Sequence, residues 1–449
     1  MALTKIKGEG IDGSTISTET AGTGNFVLGK TAGNALAASG NYNVAIGDVA
    51  LNTDTNGSKS TAVGYYALAR QNSSSATDAL NVGVGYGAGE RITTGDSNTL
   101  IGAQAGDALT EGKNNVVVGK GALGSDTKGK ECVAIGNGAL FSQNLTSLTN
   151  VFNVGVGSSA GESITTGIKN TFVGGLAGDG TDDGASNVAV GYLALSGNCG
   201  DDNTAVGESA LEACTGDNNV AVGRRAGEAT TSGDMNTFVG SLSGQSGTLT
   251  GDSNTAIGYG SLFAVQGSAT RNTGLGRGAG QTITTGDNNI AIGDDALRTG
   301  RPGGEVTTGD NVIGIGNADH TAAHIQIDWT IASDERDKTD FKALDIGLDF
   351  VKALAPVTYK WDKRVKYGDK DAVDYDISKQ TPDGTHKEDW LDVGFKAQEV
   401  EKLEKAAGYK ISDKTNLLAS LSDDGKQYGI QYSKFVPVLT KAIQELSTA

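Results

Sequence analysis

Three short segments have the residue types and spacing of chemical sites. Gly24-Asn-Phe-Val-Leu-Gly-Lys30-Thr31 fits the phosphate-loop pattern GxxxxGK[ST], in which amides and a lysine cradle phosphate at the start of a helix. Gly157-Ser-Ser159-Ala-Gly161 fits GxSxG, the strained turn that exposes a nucleophilic serine. Gly178-Asp-Gly-Thr-Asp-Asp-Gly184 gathers carboxylates as a cation loop would. All three lie where one phrase returns again and again without the chemical residue: the place of Ser159 is held elsewhere by Gly87, Gly121 or Arg225. With no helix signal after Lys30 and no histidine to serve Ser159, the first two read as corners of a repeating chain and the third as a solvated turn. Cys132, Cys199 and Cys214 are odd in number and widely spaced, which fits neither a metal set nor a disulfide framework and predicts buried, reduced thiols. His320, His324 and His386 are too few and too scattered for a metal site; no metal and no cofactor is expected. One more run stands out, Ser333-Asp-Glu-Arg-Asp-Lys338-Thr-Asp340, which by itself reads as a charged loop with Ser333 as a helix cap.

The elements that carry these residues divide the chain in two. Residues 1–332 hold 61 of the 68 glycines, one proline (Pro302) and a formal charge of −14, whereas residues 333–449 hold seven glycines and carry −3. An acidic first part repels phosphate, so no nucleic-acid partner and no anionic membrane surface is expected. Within it one unit recurs: Asn, a β-former, a small or apolar residue, Val/Ile/Leu, Gly, two variable residues, Ala or Ser, then Gly or Leu. Examples are Asn43-Val-Ala-Ile-Gly47, Asn115-Val-Val-Val-Gly119 and Asn219-Val-Ala-Val-Gly223, and the marker glycines run from Gly29 to Gly293 in steps of 16 to 18 residues with two of 21. A degenerate copy ends at Gly316, and Ile-Thr-Thr-Gly recurs at Ile92, Ile164 and Ile283. Each unit predicts one coil of a solenoid. A short strand is followed by a glycine corner where a Cβ would clash or φ must be positive, and a Thr-Gly-Asp-type phrase makes the second turn. The leading Asn residues would stack as a side-chain ladder. At about 4.8 Å per coil, the units predict a rod on the order of 80 Å. So thin a core predicts three chains around one axis, burying the apolar face left over.

After Gly316 the pattern changes. Ile325–Ile331 alternates like a strand, and from Ser333 the composition is that of an ordinary globular domain. Helices are predicted over about Ile346–Leu354, Ala397–Ala407 and Ser433–Ser447, with strands at Val357–Trp361, Val393–Phe395 and Tyr428–Tyr432. Tyr432, Val436, Leu439, Ile443 and Leu446 are spaced 4, 3, 4, 3, the seam of a coiled coil, although an amphipathic helix packed on its own domain has the same spacing.

Two resemblances follow from these residues. The Asn-Val-Ala-Ile-Gly unit resembles the head repeats of trimeric autotransporter adhesins and the shafts of phage fibres, although its coils are longer and less uniform. Ser333-Asp-x-Arg-x-Lys338 with Asp340, Pro356-Val-Thr-Tyr-Lys-Trp361, Gly394-Phe-x-Ala-Gln-Glu-Val400 and Tyr432-Ser-Lys-Phe-Val-Pro-Val-Leu439 followed by Ala442-Ile-Gln-Glu-Leu446 resemble the intramolecular chaperone that ends phage fibres and endosialidase tailspikes. Lys396 stands where that family usually has an apolar residue. The resemblance implies a cut between Ala332 and Ser333, with Ser333 as nucleophile and Lys338 as base, in a single-turnover auto-peptidase reaction.

The expected architecture is therefore an all-β parallel solenoid (β-roll or β-helix) forming a homotrimeric shaft, then a small α+β chaperone domain ending in a coiled-coil-like helix. Its parts are an attachment segment (1–24), the shaft (25–316), a bridge (317–332) and the chaperone (333–449). The expected role is a phage tail fibre: a virion protein assembled in the host cytoplasm, held to tail or adaptor proteins by its N-terminus, and attaching to a host-surface receptor, with polysaccharide among the candidates. The chaperone fixes register, because sliding the shaft by one coil leaves nearly the same contacts. Two alternatives predict different features. A glycan-degrading tailspike needs a pair of carboxylates on a broad face, and a bacterial surface adhesin needs a secretion signal and an anchor. The start of the chain has no apolar signal core, and no apolar run approaches the ~20 residues of a membrane span, so no membrane insertion is expected.

Overall fold

Strands form where the sequence reads apolar–small–apolar between Asn and Gly. The computed structural model describes residues 16–17, 20–298, 304–320, 322–324, 326, 330–369, 375–422 and 424–448, in two compact units, Met1–Asn272 and Thr273–Ala449. Most of the 1–24 segment and of the strand expected over 325–331 falls outside the described residues.

In the first unit, three-residue strands from Phe26–Leu28 to Thr255–Ile257 form one parallel ladder, each paired with its equivalent one coil on. The register is direct, as in Val188↔Thr204, Ala189↔Ala205 and Val190↔Val206. Ile16–Ser17 adds an antiparallel pairing beside the first strand. The second unit continues the same pattern through Thr273–Leu275, Ile290–Ile292 and Ile313–Ile315, so the repeat region is a parallel β-solenoid throughout.

The middle residue of each strand points inward and the two flanking residues outward. Ala45, Ala134, Ala189 and Ala221 are fully buried, whereas Ile101, Val116, Ile135, Val190 and Ile257 are more than a third exposed. The outward Val and Ile of the repeat therefore form an outer face, and the interior is built mainly of alanine and of the leucine that follows the corner alanine, with Ile92, Ile164 and Ile283 also fully buried. Those leucines, among them Leu51, Leu68, Leu140 and Leu211, have left-handed backbones. Such a φ costs about 1–2 kcal/mol, and burying a leucine side chain returns about 1.5–3 kcal/mol, so the corner does not require glycine.

Core volume is shared between neighbouring positions. Phe172 sits at a strand centre, and a Cβ on Gly161 or Gly178 would lie 2.7 and 2.5 Å from its ring. Phe238 is flanked in the same way by Gly227 and Gly244. Where the strand centre is glycine the bulk is reversed: Leu68 fills the space over Gly83, and Leu140 that over Gly155. The marker glycine is the position where size is fixed. Gly157 has φ +144°, and a Cβ there would stand 2.2 Å from the carbonyl oxygen of Gly174 one coil on.

The leading Asn residues are buried and do more than stack. The Asn170 side chain takes both free groups of the next coil's turn: Nδ2 donates to Gly184 O at 2.8 Å, and Oδ1 accepts from the Asn187 amide at 2.8 Å. Asn81, Asn98, Asn203 and Asn219 make the same strap. Amide-to-amide contacts, the stacking expected from the sequence, accompany it at only some levels, for example Asn115 to Asn98.

The strap fails where the leading residue is Ser60 or Cys132, and these coils precede the two 21-residue steps. A glutamine then enters the core. Gln71 accepts from Asn81 Nδ2 at 2.9 Å and donates to buried Asp54, while Gln143 accepts from Asn153 Nδ2 at 2.8 Å and donates to buried Asp126. All three cysteines are buried and free, and burial pushes the thiols of Cys132, Cys199 and Cys214 up to about 12, 11 and 12.

In the second unit the C-terminal domain packs helices α1 (Leu348–Ala353), α2 (Ala397–Ala406) and α3 (Phe435–Thr448) around Ile346, Phe350, Val400, Leu418, Ala419, Phe435 and Val438. Two antiparallel pairs complete it, Val357–Tyr359 with Asp392–Gly394 and Ala419–Leu421 with Tyr428–Ile430. The strand at Ala419–Leu421 was not expected, and the last helix is preceded by a 3-10 turn at Tyr432–Lys434.

Asn170→Ala leaves the Asn187 amide and the Gly184 carbonyl buried without partners, at about 1–3 kcal/mol each. The expected result is a loss of about 2–6 kcal/mol, read as a lower midpoint in urea unfolding, whereas Ser158→Ala at the neighbouring corner should leave the midpoint in place.

Candidate functional site

Ala332 and Ser333 lie in an exposed, extended segment that runs into a 3-10 turn at Glu335–Asp337. The turn is fixed by Asp334 at its N-cap. The carboxylate accepts from the Arg336 amide at 2.9 Å and from the guanidinium through Nε and Nη2 at 3.1 and 2.7 Å. Arg336 holds the Asp334 carboxyl below the usual carboxylate range. One turn of this tightness returns the chain so that Lys338 Nζ stands 2.5 Å from Ser333 Oγ and 3.3 Å from Ser333 O. The structure thus places within reach of each other the two residues that the family resemblance pairs. A serine hydroxyl with an amine in hydrogen-bond reach can attack a carbonyl once the amine is neutral, which for a lysine requires burial or a nearby cation. In the single chain both side chains are exposed.

The other segments read from the sequence meet in the domain core. Phe395, after the strand at Asp392–Gly394, stacks on Phe435 with centroids 5.2 Å apart and planes at 6°, and its amide donates to Tyr432 Oη at 3.4 Å. The α3 helix has two apolar faces. Phe435, Val438 and Ala442 are buried in the domain, whereas Tyr432, Val436, Leu439, Ile443 and Leu446 lie between 43% and 66% exposed. Val436, Leu439, Ile443 and Leu446 therefore lie off the face that packs the helix onto its own domain, whereas Tyr432, in the 3-10 turn before the helix, stacks on Phe395 at 6.4 Å. Lys396 takes the N-cap position of α2.

Three further residues, to which the sequence assigned no role, hold this domain together. Glu404 is buried, and its carboxylate accepts from the amides of Leu417, Leu418 and Ala419 at 2.7, 2.6 and 2.9 Å. Its one sequence signal is its place four residues after Val400, on the same helix face. Glu445 of α3 accepts from the Leu348 amide at 2.6 Å and so caps α1, whose own N-cap is Gly347. Lys363 bridges Glu388 and the Ala318 carbonyl.

The three motif matches in the shaft are coil parts. Gly29 and Ser159 are corners, with φ +145° and +55°, and Ser159 shares its left-handed backbone with Gly87, Gly121 and Arg225. Asp179 and Asp182 accept hydrogen bonds from Ser196 and Thr165 of adjoining coils.

Residues 333–409 match the family model described as Chaperone of endosialidase. The chain ends in an endosialidase-type chaperone domain. Solenoid and chaperone together fit a tail fibre or tailspike with its chaperone at the C-terminus. The matched stretch includes Ser333, Lys338 and the Gly394–Val400 segment and stops before α3. No curated protein matches the chain. Among the described residues no helix is long and apolar enough to cross a membrane.

The Leu348 amide, then Lys441, lower the Glu445 carboxyl. A depressed carboxyl stabilises the fold above its unfolded pKa and loses that contribution as pH falls through the folded one. The thermal midpoint of the wild type should therefore exceed that of Glu445→Gln at pH 7, and the gap should close below about pH 4.

Proposed function

We propose that this chain is the fibre of a phage tail, three copies of which assemble along the solenoid's strand face and are set in register by the chaperone domain. The observation that carries the reading is that face. The first and third residues of every three-residue shaft strand, from Phe26 and Leu28 to Ile313 and Ile315, are Val, Ile, Leu, Phe or Thr, without one charge. A monomer would leave it exposed along the whole shaft, whereas soluble monomers rarely show a patch beyond a few hundred Å². The acidic residues sit mainly in the turns, which solvates the outside of an assembly. A second apolar strip, on α3, supports the same association at the other end of the chain.

In this reading the partner chains also cover the Ser333–Lys338 turn and take the charge from Lys338. Ser333 Oγ then attacks the Ala332 carbonyl carbon and Lys338 accepts the hydroxyl proton. The Ala332–Ser333 C–N bond breaks as the nitrogen takes a proton, leaving an ester that water hydrolyses to an Ala332 carboxylate and a free Ser333 amine. Cleavage that depends on assembly reports that the trimer has formed. The fibre belongs in the virion after assembly in the host cytoplasm, with residues 1–24 toward the tail and the shaft toward a host-surface receptor.

Purified wild-type protein should run on a denaturing gel as pieces of 332 and 117 residues, and Ser333→Ala and Lys338→Ala should stay whole. An intact wild-type band after long incubation removes the dyad. In light scattering behind size exclusion the Ser333→Ala protein should have three times the chain mass, and Val190→Lys with Val222→Lys should lower it toward one; a wild type that elutes as a monomer removes the trimer.

A further inference from the structure

The last three coils belong to the same compact unit as the chaperone domain, and the contacts that join them lie on the shaft side of the proposed cut. Beyond the last strand, Asn317 is tied back to the coil: its Nδ2 donates to Asp294 at 3.2 Å, and its amide donates to His320 Nδ1 at 3.0 Å. That turn presents Ala318 and Asp319. The Ala318 side chain is buried against Val365 and Ile377 of the chaperone. The Ala318 carbonyl accepts from Lys363 Nζ at 2.7 Å, and Asp319 faces Lys366 at 3.6 Å. A second approach joins the same two parts, since a Cβ on Gly304 would stand 2.5 Å from Ser422 Cβ. On the chaperone side Lys363 caps a 3-10 turn over Arg364–Lys366, and Arg364 ties that turn to its own domain by donating to the Lys426 carbonyl at 2.9 Å.

We infer that the Lys363–Lys366 turn is a docking surface for the end of the shaft, so that the chaperone domain stays bound to the fibre after the Ala332–Ser333 bond is cut. None of these contacts includes residues 330–340, so cutting there removes the tether and leaves the dock. The occupant is the Asn317–His320 turn of the shaft: a small apolar side chain, a carbonyl and a carboxylate, matched by a shallow apolar socket and two ammonium groups. In a trimer the dock occurs three times, and joined sites hold far more firmly than one. The inference rests on the tail-fibre reading for the occasion of the cut, but not for its test.

The test takes full-length Ser333→Ala with a site-specific protease sequence inserted between residues 332 and 333 and an affinity tag at the C-terminus, so self-cleavage plays no part. After complete cutting at low micromolar concentration in 0.1 M salt, the shaft should be retained with the tagged domain. Asp319→Ala removes one charge pair on the shaft side and should reduce retention several-fold. Ala318→Glu puts a charge into the apolar socket and should abolish it. Both changes lie outside the chaperone fold, and circular dichroism of the tagged domain should be unaltered. Loss of the shaft on cutting the parent protein overturns the inference, and so does full retention in Ala318→Glu.

Discussion

The shaft depends on one buried side chain per coil. A parallel ladder satisfies the backbone of a strand, but the turn before each strand also carries an amide and a carbonyl into the interior, and no neighbouring strand reaches them. An asparagine has one donor group and one acceptor on a short stem, and from the preceding coil it meets both. This makes each coil a condition for the next: the turn of one is completed by the residue that begins the one before. The spacing of the coils then follows, and with it the glycine whose Cα must lie against the next carbonyl.

What remains free is how the interior is filled. Because the straps and glycines set the path, a phenylalanine can replace an alanine if the corners beside it shrink, as around Phe172 and Phe238. The left-handed leucines belong to the same exchange, since their strained backbone is offset by the volume they bury. The outer face is free of the opposite constraint. No contact within the chain fixes the size of the valine or isoleucine there, yet these types persist level after level.

The sequence made the coils legible because the marker glycine and the leading asparagine recur, and all the marker glycines from Gly29 to Gly293 take the positive φ expected of them. It left open which side of the strand faces inward, because Val44, Ala45 and Ile46 are all apolar and alternation alone names no direction. The asparagines were expected to stack on one another. That they strap a turn depends on where the following glycine carbonyl falls, which spacing does not reveal. In the C-terminal domain the helices were legible from period and caps, but Ala419–Leu421 was not, since a strand of that length pairs only because Tyr428–Ile430 lies within a hairpin's reach. The Ser333–Lys338 pairing came from resemblance, and the turn that closes it needs the Asp334–Arg336 contact. Glu404 and Glu445 look like ordinary surface glutamates until the amides they accept are placed beside them.

The two glutamine-filled coils bear on how such a fibre changes over generations. Asp54, Ser60, Gln71 and Asn81 form one polar set, and Asp126, Cys132, Gln143 and Asn153 form the same set seventy-two residues later. Within each set the glutamine joins a buried carboxylate to the next leading asparagine, so losing the glutamine leaves both short of a partner. Copying a block of four coils preserves every bond inside it and leaves matching ends to rejoin, whereas inserting a lone irregular coil strands a buried carboxylate. A shaft of this kind can therefore change length by whole blocks with its buried polar sets intact, but not by a few residues.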